Sequence, residues 1–261
     1  MNEFALSLIL NPCACEEQDC DYATYIRTLV CMKPPRTAPG SDRTLIEHLA
    51  HVRWIAGGTG AGKSTVTMAL ARRHDARLYN GDRAEHDWVA RSTQQHHPHL
   101  HALLGAAPGQ VWAGRSAQEV FRSMASLHGE VIGFLIEDLL ALPNDRIVLV
   151  DYFGVLPRDV ALLLAGFHQA VFLLPSPEFR RRVLAMRYAD PLRARTTWGS
   201  HCREEMLAKR LARDALWDEE VRQQATAYGL RTVSVDGTRP VEDLVTEVAT
   251  HLRLPQAPAC S

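Results

Sequence analysis

Gly57-Gly58-Thr59-Gly60-Ala61-Gly62-Lys63-Ser64, followed by Thr65, satisfies every fixed position of the phosphate-binding pattern G-x-x-x-x-G-K-[ST]. Each position has a physical task. The glycines let backbone N–H groups turn inward around phosphate oxygens. Lys63 has the reach and charge for β- and γ-phosphates, and the Ser64 hydroxyl can ligate Mg²⁺. The stretch therefore specifies a ligand class, a nucleoside triphosphate, and leaves the reaction open.

The flanks agree with the motif. Val52-Arg53-Trp54-Ile55-Ala56 reads as a short, mostly apolar strand, and Thr65 to Ala71 reads as a helix with an apolar stripe. Strand, glycine-rich loop and helix is the context the motif requires. The helix N-terminus adds a favourable field for phosphate.

Working outward, the chain alternates. Arg77-Leu78-Tyr79 predicts a second strand ending at Asn80-Gly81-Asp82, and a polar, His-rich stretch follows. One long helix is predicted over about 116–142, then a buried strand Arg146 to Asp151 and a helix over about 157–166. A strand Ala170 to Leu174 precedes helices over about 176–188 and 202–228. Arg231 to Val235 predicts a fifth strand, and 239–252 a last helix. Strands alternating with helical patterns imply an α/β fold: a three-layer nucleoside-triphosphatase architecture with a five-stranded parallel sheet and helices on both faces. Ligands of such sheets bind beyond the carboxyl ends of the strands.

Residues 1–50 read as an extension, leaving 51–254 for the phosphate-loop domain. The extension holds Cys13, Cys15, Cys20 and Cys31 and a loop-like stretch from Lys33 to Ser41. The spacing C-x-C-x₄-C-x₁₀-C departs from the paired units of structural zinc sites, so ordinary thiols are expected. Cys202 and Cys260 complete the six cysteines. Glu3 stands where a signal peptide would be basic, and the apolar run Phe4 to Leu10 is short; a cytoplasmic protein with no membrane partner is expected. The net charge of −1 provides no global basic field for nucleic acid, so none is expected as a partner. A monomer or homodimer fits this composition.

Asp151 closes a strand of apolar residues, where an aspartate commonly helps to hold Mg²⁺. Asp82 follows the second strand. Facing the phosphates, it could accept the proton of an acceptor hydroxyl, because a neutral alcohol is a weak nucleophile until that proton leaves. Arg180, Arg181, Arg182, Arg187, Arg193 and Arg195 cluster on a helix and a following lid loop, about 180–203. Helical geometry sends them to different faces. Two or three arginines are expected in the site, drawn from Arg182, Arg187, Arg195 and Arg213. His96, His97, His99 and His101 surround Pro98 and read as acceptor-pocket or surface residues. Trp88, Trp112, Trp198 and Tyr152 are aromatic candidates for the same pocket, with the core as the competing place.

Together these pieces resemble the phosphate-loop small-molecule kinases: chloramphenicol phosphotransferase, zeta toxin, and the gluconate and adenylylsulfate kinases. The matching residues are Gly57 to Thr65, Asp82, the strand into Asp151, Pro177 to Arg182 and Asp236-Gly237-Thr238. The resemblance implies an ATP- and Mg²⁺-dependent phosphotransferase with an alcohol acceptor. It implies Asp82 as base, with Lys63, Arg182 and Arg187 neutralising transferring charge. Arg213, Gly237 and Thr238 are then on the nucleotide, and Ser64 and Asp151 on the metal. Gly81-Asp82-Arg83, with His97-Pro98 later, looks like the zeta-toxin acceptor motif; Asp82, Arg83 and Tyr152 are accordingly acceptor candidates, within an acceptor region of about 83–115. The acceptor class left open is an antibiotic, sugar or nucleoside-like alcohol. The alternatives are a zeta-toxin-like sugar-nucleotide kinase and a nucleoside-triphosphatase switch, the latter since Asp151-Tyr152-Phe153-Gly154 matches D-x-x-G; no N-K-x-D signature accompanies it.

Overall fold

Strand residues two apart face the same way, and here both sets are apolar. A computed structural model, which describes residues 45–255, shows where each set goes. Val52, Trp54 and Ala56 of β1 (Val52–Gly57) enter one core. Val148 and Val150 of β3 (Val148–Asp151) join them, as do Ala170, Phe172 and Leu174 of β4 (Ala170–Pro175). Ile55, Leu149, Val171 and Leu173, the alternate residues, enter a second core on the opposite face. With β2 (Arg77–Asn80) and β5 (Arg231–Val235) the sheet has the order β2-β3-β1-β4-β5, and every pairing is parallel. The expected five-stranded parallel α/β sheet with helices on both faces is the observed one.

Each core is closed by helices. Val66 and Leu70 of α2 (Lys63–His74) and Leu244, Val245 and Val248 of α11 (Val241–His251) cover the second core. The first is covered by α1 (Leu45–His48), α3 (Gly81–Arg91), α6 (Ile132–Ala141), α7 (Pro157–Ala161) and α10 (Arg203–Tyr228). Leu45 and Leu49 belong to that core, so the packed unit reaches upstream of residue 51. A third cluster, Trp112, Val120, Leu184, Tyr188, Trp198 and Met206, lies among α5 (Ala117–Arg122), α8 (Pro177–Arg187), α9 (Pro191–Trp198) and α10. The small helix α4 (Pro98–His101) completes the described chain.

Three local expectations change. The single helix over 116–142 is two helices. Between α5 and α6 the chain makes a 3-10 turn, Ala125–His128, and leaves it through Gly129 at φ 71. Left-handed backbone ends a right-handed helix. The helix expected over 157–166 stops at Ala161. Conversely, the stretch expected as a lid loop contains the short helix α9, started by the Asp190 side chain accepting from Leu192 N at 2.9 Å and by Pro191. Cys13, Cys15, Cys20, Cys31, Cys260 and the stretch Lys33 to Ser41 lie outside the described residues.

The register sets the site. Asp151 stands level with Ile55 on one side and with Asn80 on the other. Val148, Leu149 and Val150 before it are almost wholly buried. Each such side chain contributes roughly 1.5–3 kcal/mol. Together they offset the several kcal/mol that a carboxylate costs at a buried strand end.

Candidate functional site

The phosphate loop is pressed against the sheet. Gly57 has φ 113, and a Cβ there would stand 2.3 Å from the Leu173 carbonyl oxygen of β4. Only glycine fits. The loop then runs into α2, whose first residue is Lys63. Lys63 is 8% exposed, and its Nζ donates to the carbonyls of Gly57 at 3.2 Å and Gly58 at 2.8 Å. Burial lowers its ammonium below the usual lysine range, opposed by Asp151, Asp82, Asp218 and Asp214. The ammonium is thus held inside the loop that created it.

Asp151 is 2% exposed, and Ser64 lies beside its carboxylate. Burial raises that carboxyl, against the pull of Ser64 and Lys63. Hydroxyl and carboxylate oxygens are the donor types that hard divalent cations take, so this pair suits Mg²⁺. Asn80, beside Asp151 in the sheet, caps α3 by accepting from Arg83 N at 2.9 Å. The cap places Asp82 in the first turn of α3, on the cavity that Lys63, Ser64, Thr65 and Asp151 line.

Sequence reasoning missed Glu85. It sits one helical turn beyond Asp82 and lines the same cavity. The Tyr152 hydroxyl donates to Glu85 Oε1 at 2.7 Å. Burial raises Glu85, with Asp82 adding to the rise, and burial also raises the Tyr152 phenol. Tyr152 itself is wedged between two glycines. A Cβ on Gly81 would meet Tyr152 Cγ at 2.4 Å, and one on Gly154 would meet its Cζ at 2.5 Å.

The arginines separate as helical geometry demands. Arg187 of α8 and Arg210 and Arg213 of α10 line the cavity. Arg213 Nη2 pairs with Asp214 Oδ1 at 2.6 Å, and Arg210 Nε lies 3.6 Å from Asp214 Oδ2. One fully buried carboxylate therefore stands between two guanidinium groups that would otherwise repel, and the trio keeps a net positive charge. Trp112 and Phe153 cover the Arg213 guanidinium, with ring centroids at 5.1 and 5.3 Å. Burial lowers Arg213 and Arg187 from the ordinary arginine value. Arg210 was not anticipated, although its three-residue spacing from Arg213 puts both on one face. Arg182 and Arg195 do not line the cavity. Arg182 instead donates to the Asp236 carbonyl at 3.3 Å and lies over Phe179. Arg83 is exposed and lines neither cavity described here.

Two cavities meet at the loop. The first, about 460 Å³, is lined by the loop, by Asp82 and Glu85, by the apolar residues Leu103, Val111, Trp112, Val120 and Met124, and by Ser126 and His99. Of the histidine cluster, His99 is the member on this cavity; it stacks on His128 at 3.6 Å between ring centroids. Trp88 and Trp198 are core residues. The second cavity, about 290 Å³, lies between the loop and the segment after β5. Phe179, Val183, Val235, Pro240 and Val241 make it apolar, and Gly237 is packed against Phe179. Thr238 does not line it; its hydroxyl and N–H both donate to Asp236 Oδ1, at 2.7 and 2.9 Å, and so shape the turn. Among the described residues no helix is long and apolar enough to cross a membrane.

No protein-family model matches the chain, and no curated protein matches it. Among solved structures it is similar to the crystal structure of TT1252 from Thermus thermophilus, at 23% identity and a TM-score of 0.40. That likeness covers 77% of this chain and 97% of the other.

Proposed function

We propose that the chain is an ATP-dependent phosphotransferase that moves a γ-phosphate to a hydroxyl of a small molecule. One observation carries the reading: a single cavity brings Asp82 together with Lys63, Ser64, Asp151 and three arginines, and extends its lining to the apolar residues Leu103, Val111, Trp112, Val120 and Met124. A hydrolase needs no such extension, whereas an acceptor alcohol does. In this reading the apolar second cavity takes the nucleotide base, and the amides of the loop and of the first turn of α2 face the phosphates.

The roles follow from placement. Lys63, Arg187, Arg210 and Arg213 neutralise charge on the transferring group, where phosphoryl transfer gains most of its acceleration. Ser64 and Asp151 would hold magnesium, which when bound supplies further neutralisation of the β- and γ-phosphates. Asp82 orients the acceptor hydroxyl and takes its proton as the new P–O bond forms. Glu85, fixed by Tyr152, holds the acceptor against Asp82, and Leu103, Val111 and Trp112 exclude water from its apolar part. The switch reading rests on the D-x-x-G match alone, and Gly154 also has a packing role against Tyr152 and Ser126.

The test is nucleotide turnover with and without acceptor. Purified protein with ATP and Mg²⁺ should release phosphate very slowly alone. A panel of antibiotic, sugar and nucleoside alcohols with radiolabelled ATP should contain members that acquire label. Rapid turnover that no alcohol changes would refute the kinase reading and restore the switch.

A further inference from the structure

Arg180 lies in the lid sequence but behaves unlike a lid arginine. It is 3% exposed, and its Nε donates to the Thr59 carbonyl of the phosphate loop at 3.1 Å. Its Nη2 pairs with Asp218 Oδ2 of α10. The other oxygen, Asp218 Oδ1, is buried with no hydrogen-bond partner and faces Gly58, where a Cβ would stand 2.5 Å away. Phosphate loop, α8 and α10 therefore meet at one ion pair. The same two helices carry Arg187, Arg210 and Arg213 to the cavity.

We propose that Arg180 and Asp218 form a positioning latch that ties the lid helices to the phosphate loop and holds the loop in its anion-receiving shape. The latch rests on the nucleotide-binding part of the function proposed above. In a planar trans peptide the C=O and the next N–H point in opposite directions. Arg180, by holding the Thr59 carbonyl, turns the Gly60 N–H away from itself, and Gly60 lines both cavities. Lys63 does the same for the carbonyl of Gly58; the N–H after the Gly57 carbonyl, that of Gly58, donates to Leu173 O at 2.8 Å and anchors the loop to β4. Buried ion pairs contribute little net stability compared with apolar packing, so a role in positioning accounts for this one better than a role in stability. Arginine suits it because its rigid fork can hold a carbonyl and a carboxylate together; lysine offers a single point charge.

Titration adds a signature. Burial raises the Asp218 carboxyl to about 6 in spite of Arg180. The charged groups around it are Arg180 on α8, Asp214 and Arg222 on α10, and Lys63 at the start of α2. Below that pH the carboxylate is neutralised and the latch loosens.

The experiment is equilibrium titration with fluorescently labelled ADP and Mg²⁺ between pH 5 and 8. It compares the wild type, Arg180→Lys and Asp218→Asn, with melting temperatures measured alongside. Arg180→Lys keeps the charge opposite Asp218 but loses the Nε contact. It should bind about tenfold more weakly, the difference between a charge-assisted hydrogen bond and none, and melt close to the wild type. Wild-type affinity should fall more steeply than that of Asp218→Asn as pH drops through about 6. Arg180→Lys binding within about twofold of the wild type would overturn the latch, since the lost contact predicts far more. So would a pH dependence no smaller in Asp218→Asn than in the wild type, or weakened binding that merely tracks loss of folded protein. If Asp218→Asn does not fold, Arg180→Lys decides alone. A wild type that binds no nucleotide would overturn the nucleotide reading itself, and the latch with it.

Discussion

Gly81→Ala adds one methyl group where the structure has no space for it. Gly81 opens α3 and is buried, and a Cβ there would lie 2.4, 2.5 and 2.7 Å from Tyr152 Cγ, Cβ and Cδ2. Real Cβ atoms do not approach that closely, so the ring must move. It has nowhere to go: its far end is 2.5 Å from where a Cβ on Gly154 would sit, and its hydroxyl is bound to Glu85 at 2.7 Å. Overpacking of this kind costs about 1–3 kcal/mol. Losing the bond to the Glu85 carboxylate adds roughly 1.5–3 kcal/mol if the ring leaves it. Against this, alanine gains at most about 1 kcal/mol over glycine in a helix, and less at its first residue. The net expectation is a loss of about 2–3 kcal/mol, which for a chain of this size lowers Tm by roughly 4–12 °C. Gly229→Ala is the control: its φ of 65 makes alanine strained, but nothing lies within 4 Å of its Cβ. That variant should lose only about 1 kcal/mol. Thermal and urea unfolding measure both. Equal stability losses in the two variants would mean that the packing around Tyr152 is not as described.

Asp82→Asn should retain nucleotide affinity while transfer to any acceptor found falls about 10²–10⁴-fold, the usual worth of a positioned base; near-normal transfer rates would remove Asp82 from that role. Lys63→Ala should abolish nucleotide binding measured by calorimetry, and unchanged affinity would refute the loop assignment. Burial raises the Asp151 carboxyl, so it loses its proton at a higher pH than an ordinary aspartate. Mg²⁺-dependent nucleotide affinity should therefore strengthen as pH rises through that raised value. Asp151→Asn should flatten the profile, and a profile unchanged by the substitution would count against metal binding there. Burial, with His128 next, lowers His99 below 6.5, so the neutral imidazole is favoured in the fold. Stability from this site is present above pH 6.5 and lost as pH falls from there toward the folded value. His99→Gln should narrow the drop in Tm between pH 7 and 5; an unchanged drop would mean that the stacked pair contributes nothing.

What could be read from the chain was what one short stretch determines. The phosphate loop, its two flanks and Asp151 are each fixed by neighbours in sequence, and the parallel sheet followed from the alternation of strands and helices, although the strand order did not. Asp82 belonged to the same class, because Asn80 caps the helix that carries it. The arginines were different in kind. Spacing says which residues share a helix face, but not which face turns toward the loop. That depends on packing between α8, α10 and the third apolar cluster, which no local pattern encodes. Arg182 and Arg180 are two residues apart, hence about 160° apart around the helix from the turn of 3.6 residues. One reaches the turn after β5 and the other the phosphate loop. The break in the helix expected over 116–142 had a single local signal, Gly129, and without it Ser126 and Met124 would not reach the cavity wall. Glu85 could have been found, since a residue three positions after Asp82 shares its helix face. Its consequence could not, because the Tyr152 hydroxyl that fixes it comes from the end of another strand. The proposed acceptor half of the site is therefore a tertiary property: its polar groups are placed by α3, its aromatic wedge by the segment after β3, and its apolar lining by α5 and the segments before and after it.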